Sequence, residues 1–308
     1  MKEGYDQYFD FKRTGKFASS MNKTAALMDR DKRSLEKIGI PAAVNIGNVM
    51  ALRIKLAVED KPSEIKQIVR EYMSHMHPII LDGMVAGVLS GRLRMAKIAA
   101  QGIATRKHAL GAYDEALAYY RKRMGLSTDD VDALKKTYSA KALKVVKGAS
   151  DMVERKAQEA IAESLKLGEH VKDAQARLQA AMNTAGVDEA SPWLCETITR
   201  TNIAAAYSAG NHQALQDPDL AEFHIGYRYA TVGDARVRET HEEWDGFVGP
   251  KDDEFWQTHY PPCGYNCRCC AIPLFSDYES NIPEDYEDAD DGINPVTGLD
   301  WGTPPESD

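Results

Sequence analysis

At Phe223 the spacing of apolar residues changes, and this change restricts the chain to an α+β fold. From Pro62 to about Met182 apolar residues recur three and four positions apart, whereas from Phe223 to Val232 they alternate. A helix gathers residues three and four apart on one face, and a strand sends successive side chains to opposite faces. A mostly α-helical N-terminal region should therefore precede a small α+β module.

The helical part carries its own punctuation. PSEIKQIVREYMSHM opens at Pro62–Ser63 and sets Ile65, Ile68, Val69 and Tyr72 at helical spacing. YDEALAYYRKRMG ends at Gly125, a C-terminal cap, and the next helix starts on Ser127 or Thr128 with acids in its first turn. Met152, Ala157, Ile161 and Leu165 share one side of a helix that breaks at Gly168. ASPWLCETITRTNIAAAYSAGNHQAL begins with Ser191 and with Pro192 at its first helical position, and its lone Cys195 reads as a small core residue. GMVAGVLSG lacks the Lys-Ser/Thr of a phosphate loop and reads as helix packing. Residues 1–60 read as an N-terminal arm: GYDQYFDFKRTGKF mixes aromatics with charges, and IPAAVNIGNVMALRIKLAVED fits a helix or in part a strand.

In the module, FHIGYRYATV reads as a half-buried strand with Phe223, Ile225, Tyr227 and Tyr229 on one face. Gly233–Asp234 turns the chain, and Asp234 is placed to cap a short helix, ARVRETHEEW, that stops near Gly246. KDDEFWQTHY is a second short helix closed by Pro261–Pro262, and CRCCAIPL returns as a strand beside the first. The expected division is an arm at 1–60, a helical region at 61–221, the α+β module with a short antiparallel sheet and a Cys-rich turn at 222–275, and an acidic extended tail at 276–308.

Charge and hydropathy narrow the function. The formal net charge is −9, but eleven acidic residues and no basic one follow Phe275, leaving 36 acidic against 38 basic residues in the body. Such a balance does not attract nucleic acid strongly, and the basic positions Arg121 to Lys147 are interleaved with acids as on a solvated face. HPIILDGMVAGVLSG, the longest nearly uncharged run, falls short of the ~20 apolar residues of a membrane span. MKEGYDQYFDF lacks the apolar stretch of a secretory signal, so reduced thiols are expected.

Four of the five cysteines lie between Cys263 and Cys270. Cys-x3-Cys-x-Cys is not a paired CxxC pattern, yet strand geometry would put Cys267 and Cys269 on one face and Cys270 on the other. With His241 from the short helix, Cys263, Cys267 and Cys269 could surround a structural zinc, a staple from which a unit with little core would benefit. Two other readings stay open. The thiols could be buried small apolar groups, or Cys267, His241 and Asp245 could form a nucleophile set with Arg268 lowering the thiol pKa. HEEWD ends in Asp245 where a zinc-protease HExxH needs histidine, which excludes that class.

TRTNIAAAYSAGN, YRYATVGDARVRETHEEWDG and FWQTHYPPCGYNCRC together resemble the phage Mu F-like head morphogenesis family of minor head proteins. The positions carrying the resemblance include Arg200, Thr201, Asp234, Arg236, Arg238, His241, Asp245, Gly246, Phe255, Trp256, Pro261, Pro262, Gly264, Cys267, Arg268 and Cys269, within about Ala142 to Pro273. The family commonly has Glu where Asn202 stands and Asn where Cys263 stands. The resemblance implies a structural, non-enzymatic virion protein with no catalytic residue. It would be present in few copies in the head, near the portal, and would assemble in the host cytoplasm. Its expected partners are the portal protein, the major capsid protein or both, and phage DNA during packaging or ejection, with no membrane. An enzyme of head maturation or infection and a DNA-contacting ejection protein are the alternatives.

Overall fold

The computed structural model describes residues 16–60, 62–107, 112–167, 171–184, 191–275 and 278–305. Among the described residues six helices come first: α1 Lys16–Asp60, α2 Ile65–Lys107 after a 3-10 turn at Pro62–Glu64, α3 Ala112–Arg123, α4 Thr128–Leu167, α5 Val171–Thr184 and α6 Ser191–Leu215. A short α7, Pro218–Ala221, is capped by Asp217, whose side chain accepts from the Asp219 amide. The module then runs β1 Gly226–Ala230, α8 Glu239–Glu243, β2 Val248–Pro250, α9 Glu254–Thr258 and β3 Cys270–Leu274. The α+β class and the helix-then-sheet order are as expected. Among the described residues no helix is long and apolar enough to cross a membrane.

The stretch that fitted either helix or strand is helix throughout. Ala43, Gly47, Met50, Ile54 and Ala57 are buried at alternating spacings of four and three, which only a helical period satisfies. The proline inside α1, Pro41, keeps its ring on the exposed side. The first part of the aromatic segment, GYDQYFDFKRT, lies outside the described residues.

The chain divides into two compact units, one of residues 1–35, 84–134 and 201–308 and the other of residues 36–83 and 135–200. In the second, Arg200 pairs with Glu36 at 3.1 Å and with Glu196 one turn earlier. In the first, α2 and α6 approach at glycine: a Cβ on Gly91 would sit 2.3 Å from the Tyr207 carbonyl oxygen.

The sheet of the first unit is antiparallel in the order β2-β1-β3, with Tyr227 opposite Gly249 on one side and Pro273 on the other. Its expected strands are shorter than the sequence indicated, and β2 was not foreseen. Three residues ending in proline carry no readable alternation. Every β3 residue is buried, and the core around the sheet is aromatic: Tyr229, Trp244, Phe255 and Trp256 are all at most 1% exposed. Each such side chain contributes about 1.5–3 kcal/mol through burial.

The tail from Tyr278 is extended, as expected, but it lies against the module. Tyr278 Oη donates to the Ile225 carbonyl, the Asn281 amide to the Val248 carbonyl, and Trp301 is 3% exposed. Its few apolar residues, spaced among acids, had not suggested a buried surface.

Candidate metal centre

The corner is set by two turns that bring distant side chains onto α8. Asp234 does not cap α8, because four residues separate it from Glu239, the first of the helix. Arg238 holds the capping position, with no side-chain hydrogen bond to the helix amides. Asp234 instead accepts from the Arg236 amide at 3.0 Å and from both terminal nitrogens of Arg268 at 2.6 Å. The paired guanidinium holds the Asp234 carboxyl well below the usual carboxylate range. Asp245, just past α8, accepts from the Thr231 amide at 2.7 Å. Gly246 has φ +90° and Gly264 φ +155°, and a Cβ on Gly264 would overlap the Asp290 carboxylate. Trp256 is a core residue packed against Tyr227 at 5.3 Å between ring centres.

On this frame His241 Nδ1 lies 3.4 Å from Cys269 Sγ and 3.8 Å from Cys267 Sγ, with all three residues buried. The imidazole stacks on Trp244, and its Nε2 is buried without a hydrogen-bond partner. Zinc bonds of about 2.3 Å to sulfur and 2.0 Å to nitrogen set tetrahedral ligand atoms roughly 3.5–3.8 Å apart. Both nitrogen–sulfur distances therefore fit edges of a zinc tetrahedron, with Nδ1 as the ligating nitrogen. A hydrogen bond from Cys269, then one from His241, pushes the Cys267 thiol well below its ordinary pKa, as a metal ligand requires; its bond to Cys267 and burial push Cys269 up.

Cys263 is not part of this group. Its thiol donates to the His259 carbonyl at 3.3 Å and accepts from Tyr229 Oη at 3.7 Å. The nucleophile set is not assembled either, because the Asp245 carboxylate is engaged by Thr231 while His241 Nε2 has no acceptor. While Cys267 and Cys269 lie just before β3, Cys270 opens the strand and stays outside the group. It meets Lys32 Nζ at 3.8 Å, and the same ammonium donates to the carbonyls of Arg268 at 2.7 Å and Cys269 at 3.2 Å. Lys32 and Asp31, which accepts from Arg94 and Tyr207, escaped the sequence reading. DRDKR is indistinguishable in sequence from a solvated helix face.

Residues 155–272 match the family model described as Phage Mu protein F like protein. The capsid assembly protein F named for Escherichia phage Mu is 38% identical over 87 residues, 28% of this chain and 19% of the relative. The Mu-like prophage FluMu F protein of Haemophilus influenzae is 37% identical over 89 residues, 29% and 20% of the two chains. The aligned part thus spans about a fifth of either relative's length. No solved structure matches the chain.

Proposed function

We propose that this chain, Mu F-like from residue 155 to 272, is a structural protein of phage head assembly that acts by binding other head components rather than by turnover. The observation that carries the reading is the match itself. It includes the whole of the Asp234–Arg268 frame and the His241–Cys267–Cys269 corner, and one matched relative is named for capsid assembly. Its partners would be the portal protein or the major capsid protein at the portal vertex, in few copies per virion, with assembly in the host cytoplasm. Docking is supported by Ile38, Val49, Leu52 and Leu56, which lie exposed along one face of α1. Contact with DNA during packaging or ejection would use the exposed lysines 135, 136, 144 and 147 of α4. Co-purification with each head protein tests the reading directly. Leu52→Asp with Leu56→Asp should abolish capture of the true partner while the far-ultraviolet circular dichroism stays unchanged. Capture that survives both changes would remove this face from assembly.

Within that role the Cys-rich corner is a structural zinc site held by His241, Cys267 and Cys269, supported by their spacing and their burial. Native mass spectrometry with thiol alkylation tests it. One zinc per chain, with Cys267 and Cys269 alkylated only after chelation, is the expected result. No metal and one fast-reacting thiol would replace it with nucleophile chemistry.

A further inference from the structure

The proposed zinc has three protein ligands, and tetrahedral coordination takes four. Cys263, the fourth candidate, is engaged by Tyr229 and the His259 carbonyl. Adjoining the three ligands there is instead a cavity of about 20 Å3, lined by His241, Cys267 and Cys269 together with Arg236, Arg238 and Arg268. One water needs roughly 10–15 Å3 of such space, so the cavity holds a single small ligand.

Charge decides which ligand it favours. Zn2+ with two thiolates and a neutral imidazole sums to zero. Arg268 and Arg236 share the one carboxylate of Asp234, and Arg238 pairs with Asp290 at 3.3 Å. Three guanidiniums against two carboxylates leave one positive charge in excess, and no residue lining the cavity is acidic. Lys32, buried behind Cys269 and Cys270, shares Asp29 with Arg33 and so takes nothing from that excess. One uncompensated positive charge at the rim favours an anion over a neutral donor.

We propose, resting on the zinc reading above, that this site is coordinatively open: its fourth position faces the arginine-rimmed cavity and holds a water that a small monodentate anion displaces. The corner is then both a staple and an acceptor, able to take one anionic donor from outside the chain.

Cobalt replacement tests this on the full chain, because the visible spectrum of Co2+ reports ligand type and coordination geometry. The protein should take up one Co2+ with thiolate charge-transfer bands, lost in the Cys267→Ser, Cys269→Ser double variant. Azide should then shift the d–d bands along a saturable, one-site curve. Bands that stay fixed at saturating azide would overturn the open position and leave the zinc reading intact. Failure to bind Co2+ in the wild-type chain would overturn both. Arg236→Ala, at a side chain 71% exposed, should leave cobalt uptake unchanged and weaken azide binding roughly three- to tenfold, as loss of one half-solvated charge would. Unchanged azide affinity there would overturn the role given to the arginine rim.

Discussion

Arg268 closes on Asp234 through two hydrogen bonds of 2.6 Å, Nη1 to Oδ2 and Nη2 to Oδ1, and so ties the chain before α8 to the chain before β3. Both cysteines of the candidate metal centre flank Arg268 in sequence, so the pair fixes where their sulfurs point. A guanidinium meets both carboxylate oxygens at once and an ammonium meets one. Arg268→Lys should therefore lower the unfolding midpoint nearly as much as Arg268→Gln. The double variant with Asp234→Asn should be no less stable than the worse single one. Additive losses in thermal denaturation would mean that the two residues act independently.

Lys32 is 3% exposed and supplies the donor for two carbonyls in the Cys-rich turn. Lys32→Met keeps the stem and removes the ammonium, leaving those acceptors unpaired at a cost of about 2–4 kcal/mol. Urea denaturation reads this directly. A variant as stable as wild type would mean the ammonium contributes no net stability where it sits.

Two glycines separate close packing from helix propensity. Gly91→Ala must push apart backbones that already touch, because its Cβ would fall 2.3 Å from the Tyr207 oxygen and 2.8 Å from the Asn211 nitrogen. It should cost at least about 2 kcal/mol. Gly148, inside α4, has nothing within 4 Å of an added Cβ, and Gly148→Ala should stabilise by roughly 0.5–1 kcal/mol. Effects of the same sign, measured in one denaturant series, would contradict the contact between α2 and α6.

Acid should destabilise the protein through its buried imidazoles, His212 and His224 above all, with His259 also lowered by burial. Burial lowers the pKa of His212 to about 4 and of His224 to about 3, the latter helped by nearby Lys251. Both are neutral in the folded state when the unfolded chain, with histidines near 6.5, begins to bind protons. Their contribution is thus complete above about pH 6.5 and is lost as pH falls towards the folded values, by up to ~1.4 kcal/mol per unit and group. The melting temperature should decline from pH 6.5 to 4.5, and His212→Phe should flatten that decline. An unchanged slope in the variant would assign the acid sensitivity elsewhere.

Much of the fold was legible because it is local. The period change at Phe223, the start of α6 at Ser191 and Pro192, and the single-turn α9 capped by Asp253 all follow from short-range sterics and hydrogen bonds. His241, Cys267 and Cys269 were legible as a group for a related reason: fewer than thirty residues separate them, and a turn and a hairpin return are enough to bring them together. Cys263 was assigned to them by proximity in sequence. The structure instead engages its thiol with Tyr229 and the His259 carbonyl.

Sequence by itself determined the classes of element, their order, and which residue types could form a metal centre, because periodicity and capping act over a few residues. Only the tertiary structure decided that Lys32 lies under the Cys-rich turn 236 residues away, and that the acidic tail lies against the module. It also decided that His241, Cys267 and Cys269 converge beside an arginine-rimmed cavity. These outcomes depend on which buried groups find partners across long loops, and that balance of desolvation against pairing is settled by packing rather than by any local pattern.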